Sequence, residues 1–349
     1  MFKLEEIVRP NIKNLTPYSS ARDEFKGEAS IFLDANENSL GSPLTKWYNR
    51  YPDPLQWKLK QKLEEIKSIP AAQIFIGNGS DECIDVLIRM VCEPGIDNVL
   101  ICPPTYGMYQ VSADINDVAV KKVPLTPDFQ LDLPAIESAI DDHTKIIFLC
   151  TPNNPTGNSL KKEDVEAILN NYFGLVVIDE AYINFSRFRT YAQELKDYPN
   201  LVVMQTLSKA WGLAALRVGM AFASEEIIGV MNKIKPPYNI NQASQELALQ
   251  ALDEVGQVND MIRELVTQRG ILEQQLRELP EVLHIYPSDA NFLLVKVKNG
   301  KAVYDYLLGK GIVVRDRSRV ELCEGCLRIT VGTADENEQL VSAIGNYEV

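Results

Sequence analysis

Five short polar clusters in this 349-residue chain hold the residue types that covalent and phosphate chemistry require. Lys209 lies in T-L-S-K-A-W-G, between one apolar run and another. An amine at such a strand end is partly desolvated, which lowers its pKa and makes it a nucleophile. Thr206 and Ser208 place hydroxyls beside it, and Arg217 follows with a guanidinium that can grip a phosphate through two parallel hydrogen bonds. G-N-G-S-D, residues 77–81, opens a helix-like stretch after a further apolar run. The backbone N–H groups of Gly79 and Ser80 and the positive end of a helix dipole suit an anion there. The turn lacks the third glycine and the spacing of the dinucleotide fingerprint. Asp81 would repel a phosphate if it faced inward, so it is expected to cap the helix or point outward.

Asp179 directly follows L-V-V-I. A carboxylate in that place can pair with a pyridinium nitrogen and keep it protonated, as a cofactor acting as an electron sink requires. Asn154 in N-N-P-T-G adds an amide, and Tyr106 in T-Y-G-M-Y an aromatic ring. Four of the clusters also have a plainer reading on their own: a solvated lysine, a tight G-x-G turn, a satisfied strand-end carboxylate, an Asn–Pro turn. Their common placement is what describes a site. Every one follows an apolar run, and ligands of open parallel sheets bind beyond the carboxyl ends of the strands.

The elements that must position these groups are legible as an alternation. AQIFIG, NVLICP, VAVKKVPL, TKIIFLCT, GLVVIDE, LVVMQTLS and RVGMAFAS are separated by turn residues and helix-like stretches. This pattern predicts an α/β fold whose large domain has a mostly parallel seven-stranded sheet between helices. Several runs are apolar almost throughout, as strands covered on both faces should be. After Ser224, EEIIGVMNKIK reads as a helix ended by Pro236 and Pro237, and a long helical pattern follows from Asn241, with a break at Gly256. ANFLLVKV, GIVVRD and CLRITVG are strand candidates and KAVYDYLLGK and ENEQLVSAIGNY helices, an α+β pattern with its own sheet. The expected division is an N-terminal segment 1–30 packing on the small domain, a large domain 31–240 and a small C-terminal domain 241–349.

Composition narrows the function. Apolar residues make up 46% and charged residues 24%, ordinary for a folded globular chain. A net charge of −13 without a basic run argues against nucleic acid or an anionic membrane as partner. No apolar stretch reaches the ~18 residues of a membrane helix. MFKLEEIVRPNIKNL lacks a signal-peptide apolar region, so a cytoplasmic location is expected. Cys323 and Cys326 form a C-x-x-C, but a structural zinc would want a second pair, and His143 and His284 are distant in sequence. No metal is expected; two reduced thiols near a strand is the reading, a regulatory disulfide its alternative.

With P-N-N-P-T-G and V-I-D-E-A-Y upstream, T-L-S-K-A-W-G-L-A-A-L-R-V-G resembles the fold-type-I pyridoxal-phosphate aminotransferases. The closer resemblance is to histidinol-phosphate aminotransferases, through Y-S-S-A-R, L-D-A-N-E-N, R-Y-P-D-P, G-N-G-S-D-E, P-P-Y-N-I-N and L-R-I-T-V-G-T. The lysine motif departs in one place, with Thr206 where serine is usual; the hydroxyl is kept. The resemblance implies pyridoxal 5′-phosphate as cofactor and Lys209 as its covalent anchor and proton shuttle. Asp179 would hold the pyridinium proton. Asn154 and Tyr182 would bond the ring's 3-hydroxyl oxygen, and Tyr106 would stack on the ring. Gly79, Ser80, Asp81, Thr206, Ser208 and Arg217 would hold the phosphate. Tyr51 would reach the other subunit's site, which implies a homodimer. Tyr18, Asn154, Arg315 and Arg328 would bind substrate, with Arg317 and Arg319 as neighbours of Arg315 that could take its part. The implied reaction moves an amino group between glutamate and imidazole-acetol phosphate, giving histidinol phosphate and 2-oxoglutarate.

Three rivals share the scaffold. An aromatic amino-acid aminotransferase would use Arg328 for an α-carboxylate and need no second arginine. A threonine-phosphate decarboxylase would also bind a phosphate ester. A pyridoxal-phosphate-binding regulator would carry a DNA-binding domain, for which about 30 residues before the first motif and the acidic charge are unsuited.

Overall fold

The computed structural model describes residues 2–18 and 31–347. All seven apolar runs are strands: β1 (Ile74–Asn78), β2 (Asn98–Ile101), β3 (Ala119–Lys122), β4 (Thr144–Cys150), β5 (Leu175–Asp179), β6 (Leu201–Thr206) and β7 (Val218–Phe222). They form one sheet in the order β1-β7-β6-β5-β4-β2-β3. Pairing is parallel from β3 to β6, and β7 lies antiparallel to both β6 and β1. Alternate residues of each strand enter two different cores. Ile147, Leu149, Val176 and Ile178 face one; Ile146, Phe148, Leu175 and Val177 face the other. Burial on both faces explains why these runs show no polar alternation.

Helices cover the sheet. The short helices α1 (Leu4–Ile7) and α2 (Pro10–Lys13) precede α3 (Trp57–Lys67), α4 (Ser80–Val91), α5 (Met108–Ile115), α6 (Leu133–Ala139), α7 (Lys162–Asn171) and α8 (Glu225–Ile234). Of the segment 1–30 expected on the small domain, residues 4–13 lie on the large domain instead, and residues 19–30 lie outside the described residues. Leu4 and Val8 join the core shared with α4 and α8. The Arg9 N–H donates to the Met90 carbonyl at 3.1 Å, and Lys233 donates to the Ile12 and Lys13 carbonyls at 2.8 and 2.9 Å. Two apolar side chains in a surface groove and these carbonyl bonds hold the segment on the large domain.

The long helical pattern is two helices, α9 (Gln242–Leu252) and α10 (Val255–Arg277), parted at Asp253–Glu254. Gly256 is not the break; it lies in the first turn of α10. Ala248 and Leu252 of α9 belong to the large core, as does Val258 of α10, whereas Leu272 and Leu276 belong to the small one. At 23 residues, about 34 Å, α10 is long enough to carry the chain from one core to the other. The change of core therefore falls within α10, not at residue 241. Beyond it come β8 (Val282–Ile285), β9 (Phe292–Val297), α11 (Gly300–Gly309), β10 (Arg315–Asp316), β11 (Cys326–Thr330) and α12 (Ala334–Gly345). The four strands make an antiparallel sheet, β10-β11-β9-β8. Thr333 and Glu336 form a reciprocal capping box that starts α12. Among the described residues, no helix is long and apolar enough to cross a membrane.

Candidate active site

The carboxyl ends of β1, β4, β5 and β6 open onto a cavity of about 760 Å³, closed on its far side by the small sheet. Lys209 lies just beyond β6, at its rim. Its ammonium is held below the ordinary lysine range, first by burial and then by the cations Arg328 and Arg217; Asp179 and Asp81 act the other way. Nζ stands 5.7 Å from the centroid of the Tyr182 ring.

Asp179 ends β5 and is 3% exposed. Its Oδ2 accepts the Tyr109 hydroxyl at 2.7 Å and its Oδ1 the Ala181 N–H at 3.0 Å. Burial raises its pKa, and these two donors oppose the rise. Such a carboxyl is short of a cation, and it lines the cavity. Tyr109 was not assigned a role from sequence. It is fully buried and stacked on Phe148 with ring centroids 4.8 Å apart. The only signal was the second tyrosine of T-Y-G-M-Y, one helical turn beyond Tyr106.

The anion cradle lies where β1 meets α4. Gly79 has φ +79°, and a Cβ there would collide with Arg217 Nη2. A Cβ on Gly219 would collide with the Ser80 N and Gly79 backbone. The Gly79 N–H itself donates to the Arg217 carbonyl at 2.8 Å, so the two glycines bring the Ser80 N–H and a guanidinium, but not the expected Gly79 N–H, to one small space. Arg217 itself has φ +54°, a left-handed conformation uncommon outside glycine, and donates to the Ala214 carbonyl at 3.2 Å and to Ser208 Oγ at 3.5 Å. Thr206 Oγ1 accepts the Ser208 N–H at 3.1 Å.

Asp81 departs from its expected orientation. It neither caps α4 nor points away; it accepts the Tyr106 hydroxyl at 2.9 Å and faces Arg217 Nη2 at 3.5 Å. Arg217 offsets its charge, which lets a carboxylate stand at the edge of an anion site. The Tyr106 ring packs edge-on against Tyr109, 5.6 Å between centroids. That contact and the bond to Asp81 fix the ring over the cavity.

Asn154 is held by its loop. Asn153 bonds the Pro104 carbonyl and Thr156 Oγ1, each at 2.8 Å, and so ties the N-N-P-T-G turn to the neighbouring strand end. The Asn154 Oδ1 accepts Arg328 Nη1 at 2.5 Å. That bond orients the amide and leaves Nδ2 to donate elsewhere. Tyr182, buried against Phe292, has its hydroxyl pKa raised by burial, with Arg328 opposing.

Arg328 and Arg315 are direct cross-strand partners in the β10–β11 pair, and both line the cavity. Arg317 lines it too, whereas Arg319 is exposed and does not. Tyr18 is not brought into the cavity, and Tyr51, expected in the other subunit's site rather than its own, does not line it either. Tyr18 is 74% exposed and outside the cavity, because its segment follows the large domain's surface. Tyr51 is 51% exposed and stacks on Tyr238 at 4.5 Å, beside a second cleft. Cys323 and Cys326 are free and buried, with thiols pushed up by burial to about 12 and about 11, so they remain protonated. Among the described residues, no group of three metal-ligating side chains occurs.

An amine, an anion cradle and a buried carboxylate on three separate strand ends, over a mostly parallel sheet with a small satellite domain, define a fold-type-I aminotransferase architecture. The sequence profile of the family "Aminotransferase class I and II" matches residues 36–344, and the chain belongs to that family. It is 56% identical over 346 residues, 99% of each chain, to a histidinol-phosphate aminotransferase of Cytophaga hutchinsonii. Its fold is similar to that of the Sinorhizobium meliloti histidinol-phosphate aminotransferase in complex with pyridoxal-5′-phosphate, with TM-score 0.78, 24% identity, and 85% and 82% of the two chains covered. An L-threonine-O-3-phosphate decarboxylase from Porphyromonas gingivalis shares the fold at TM-score 0.72 and 23% identity, with 85% and 90% covered.

Proposed function

We propose that the chain is a pyridoxal-phosphate-dependent aminotransferase that moves an amino group between glutamate and imidazole-acetol phosphate, giving histidinol phosphate and 2-oxoglutarate in histidine biosynthesis. The observation that carries the substrate assignment is the pairing of Arg315 with Arg328 across β10–β11, facing the cavity that Lys209 enters. An α-carboxylate needs one guanidinium. A phosphate dianion, with its double charge and several acceptor oxygens, engages more than one.

The cofactor fits what lines the cavity. The glycine-walled cradle with Arg217, Ser208 and Thr206 suits its phosphate, and Asp179 its ring nitrogen. When bound, pyridoxal phosphate supplies an aldehyde that captures amines and a ring that withdraws electrons from the substrate Cα. Lys209 Nζ would serve as the covalent anchor and, as an amine, would take the proton from the substrate Cα. Its lowered pKa leaves more of it neutral and able to act as a base. Asp179 would hold a proton on the ring nitrogen, with Tyr109 and the Ala181 N–H fixing both carboxylate oxygens. Asn154 Nδ2 and the Tyr182 hydroxyl would hold the ring oxygen, and Tyr106 would cover the ring. Asp81 orients Tyr106 and Arg217 at the edge of the phosphate site. Arg315 and Arg328 bind the substrate phosphate, and the carboxylates of glutamate in the other half-reaction.

Tyr51, exposed and remote from its own chain's cavity, is assigned to the site of a second copy, in a homodimer. Tyr18 is kept as a proposed substrate contact, outside its own chain's cavity as it stands. A charged phosphate ester that does not cross membranes fits action in the cytoplasm. Amine transfer to 2-oxoglutarate, measured side by side from histidinol phosphate, phenylalanine, tyrosine and threonine phosphate, tests the reading. Histidinol phosphate should give by far the highest kcat/KM. A higher value for phenylalanine, or carbon dioxide release from threonine phosphate, would transfer the chain to a rival activity.

A further inference from the structure

We propose that Arg317 is a third guanidinium of the substrate-phosphate pocket, which strengthens this chain's preference for substrates ending in a phosphate dianion. The inference rests on the reading of the cavity as a histidinol-phosphate site and adds a residue to it.

The placement follows from strand geometry. Side chains two apart on a strand share a face, so Arg317 projects with Arg315. The Arg317 N–H donates to the Cys326 carbonyl at 2.9 Å, which extends the ladder one residue past β10. Arg328, the cross-strand partner of Arg315, completes the group. The alternation ends there: Val320 N–H closes a turn onto the Arg317 carbonyl at 2.9 Å, and Arg319 is left exposed outside the cavity.

Three guanidiniums thus meet without a counter-charge. Among the described residues, none of the three forms an ion pair with a carboxylate. Asp316 lies between Arg315 and Arg317 in sequence, and its carboxylate accepts the Ser318 N–H at 2.8 Å. The Cys323 thiol near Arg317 stays protonated. Nε of Arg317 and Nε of Arg328 are both buried without a hydrogen-bond partner. Like charges on facing strands are unfavourable, and buried unpaired donors more so. An arrangement that costs stability without ligand is the signature of a binding site, and an entering anion with several acceptor oxygens satisfies it. The single charge of a carboxylate would satisfy it less well.

The test uses holoenzyme with Arg317→Gln and Arg317→Lys. Measured are kcat and KM for histidinol phosphate and for phenylalanine, the inhibition constant of inorganic phosphate, and thermal midpoints in phosphate-free buffer. Loss of one charge-assisted contact should raise the histidinol-phosphate KM and the phosphate inhibition constant about 10- to 100-fold in R317Q, with kcat little changed. The phenylalanine KM should move no more than about threefold, since its one carboxylate needs only Arg328. R317K, which keeps charge but loses the fork, should fall between R317Q and the parent. Removing one of three like charges should leave the midpoint of R317Q equal or higher; an arginine with a purely structural role would lower it. A histidinol-phosphate KM within about twofold of the parent in R317Q overturns the inference and leaves the functional reading intact. Parallel rises for both donors, or a lowered midpoint, overturn it as well. If the parent transfers no amine from histidinol phosphate, the functional reading itself fails and the inference falls with it.

Discussion

The Tyr109 hydroxyl donates to Asp179 Oδ2 at 2.7 Å from a ring stacked flat on Phe148, so a rigid donor sets the buried carboxylate that we propose holds the cofactor's ring nitrogen. Tyr109→Phe keeps the stack and removes the donor. A lost hydrogen bond to a charged group costs about 1.5–3 kcal/mol, so pyridoxal-phosphate affinity should fall about 10- to 100-fold and kcat should drop more than KM rises. A fluorescence titration of the apo-protein measures the affinity. An unchanged dissociation constant would deny Tyr109 this part.

Gly79→Ala should weaken the anion cradle more than the fold. The colliding atom is the far end of the Arg217 side chain, which can move aside, and its movement opens the phosphate clamp. The Gly79 φ of 79° with ψ of 166°, a combination essentially confined to glycine, adds about 1–3 kcal/mol of backbone strain. The expected outcome is a thermal midpoint lowered by a few degrees and a cofactor that washes out on dialysis. Retention of cofactor equal to the parent would place the phosphate elsewhere.

Arg315→Ala should raise the KM for histidinol phosphate much more than that for phenylalanine, because only the phosphate ester uses both members of the cross-strand pair. Initial-rate kinetics with each donor decides it. Equal effects on both would argue that Arg315 serves no phosphate.

Glu180 makes stability depend on pH. It is buried directly behind Asp179 and accepts the Tyr191 N–H at 2.7 Å, Gln205 Nε2 at 2.9 Å and the Thr190 hydroxyl. Burial pushes its pKa up from 4.5 to about 7, against the pull of these donors. The unfolded chain releases this proton near 4.5 and the folded chain near 7. Between those values the folded state binds more protons, so stability falls as pH rises. The loss is complete above 7, at about 3 kcal/mol at most. Glutamine cannot titrate. The stability deficit of Glu180→Gln relative to the parent, from urea unfolding of apo-protein, should therefore be smaller at pH 8 than at pH 5. A deficit that stays constant or grows with pH would contradict the shift.

What could be read from sequence, and what could not, divides along local and non-local causes. The large sheet was legible because its strands are covered on both faces and read as unbroken apolar runs. β8 was not: it is a four-residue edge strand with two exposed positions, and nothing local separates V-L-H-I from a loop. Lys209, Asp179 and Asn154 were legible by their places after such runs. Tyr109 was not, since its importance comes from a bond to a residue 70 positions away. Asp81 was misread for the same reason; charge repulsion argued outward, and Arg217 with Tyr106 supplied partners that only the fold brings near. Nothing local separated Arg317 from Arg319 as stand-ins for Arg315; the turn at Val320, which ends the alternation, leaves Arg319 outside the cavity.

The central claim is that Lys209 carries the cofactor, and the most direct measurement is where the cofactor is attached. The holoenzyme should be yellow, and sodium borohydride should abolish that absorbance and fix the pyridoxyl group to the protein. Peptide mapping by mass spectrometry should then find the label on Lys209 alone, with none in Lys209→Ala. A label on another lysine, or a Lys209→Ala protein that still takes up the label after reduction, would contradict the account.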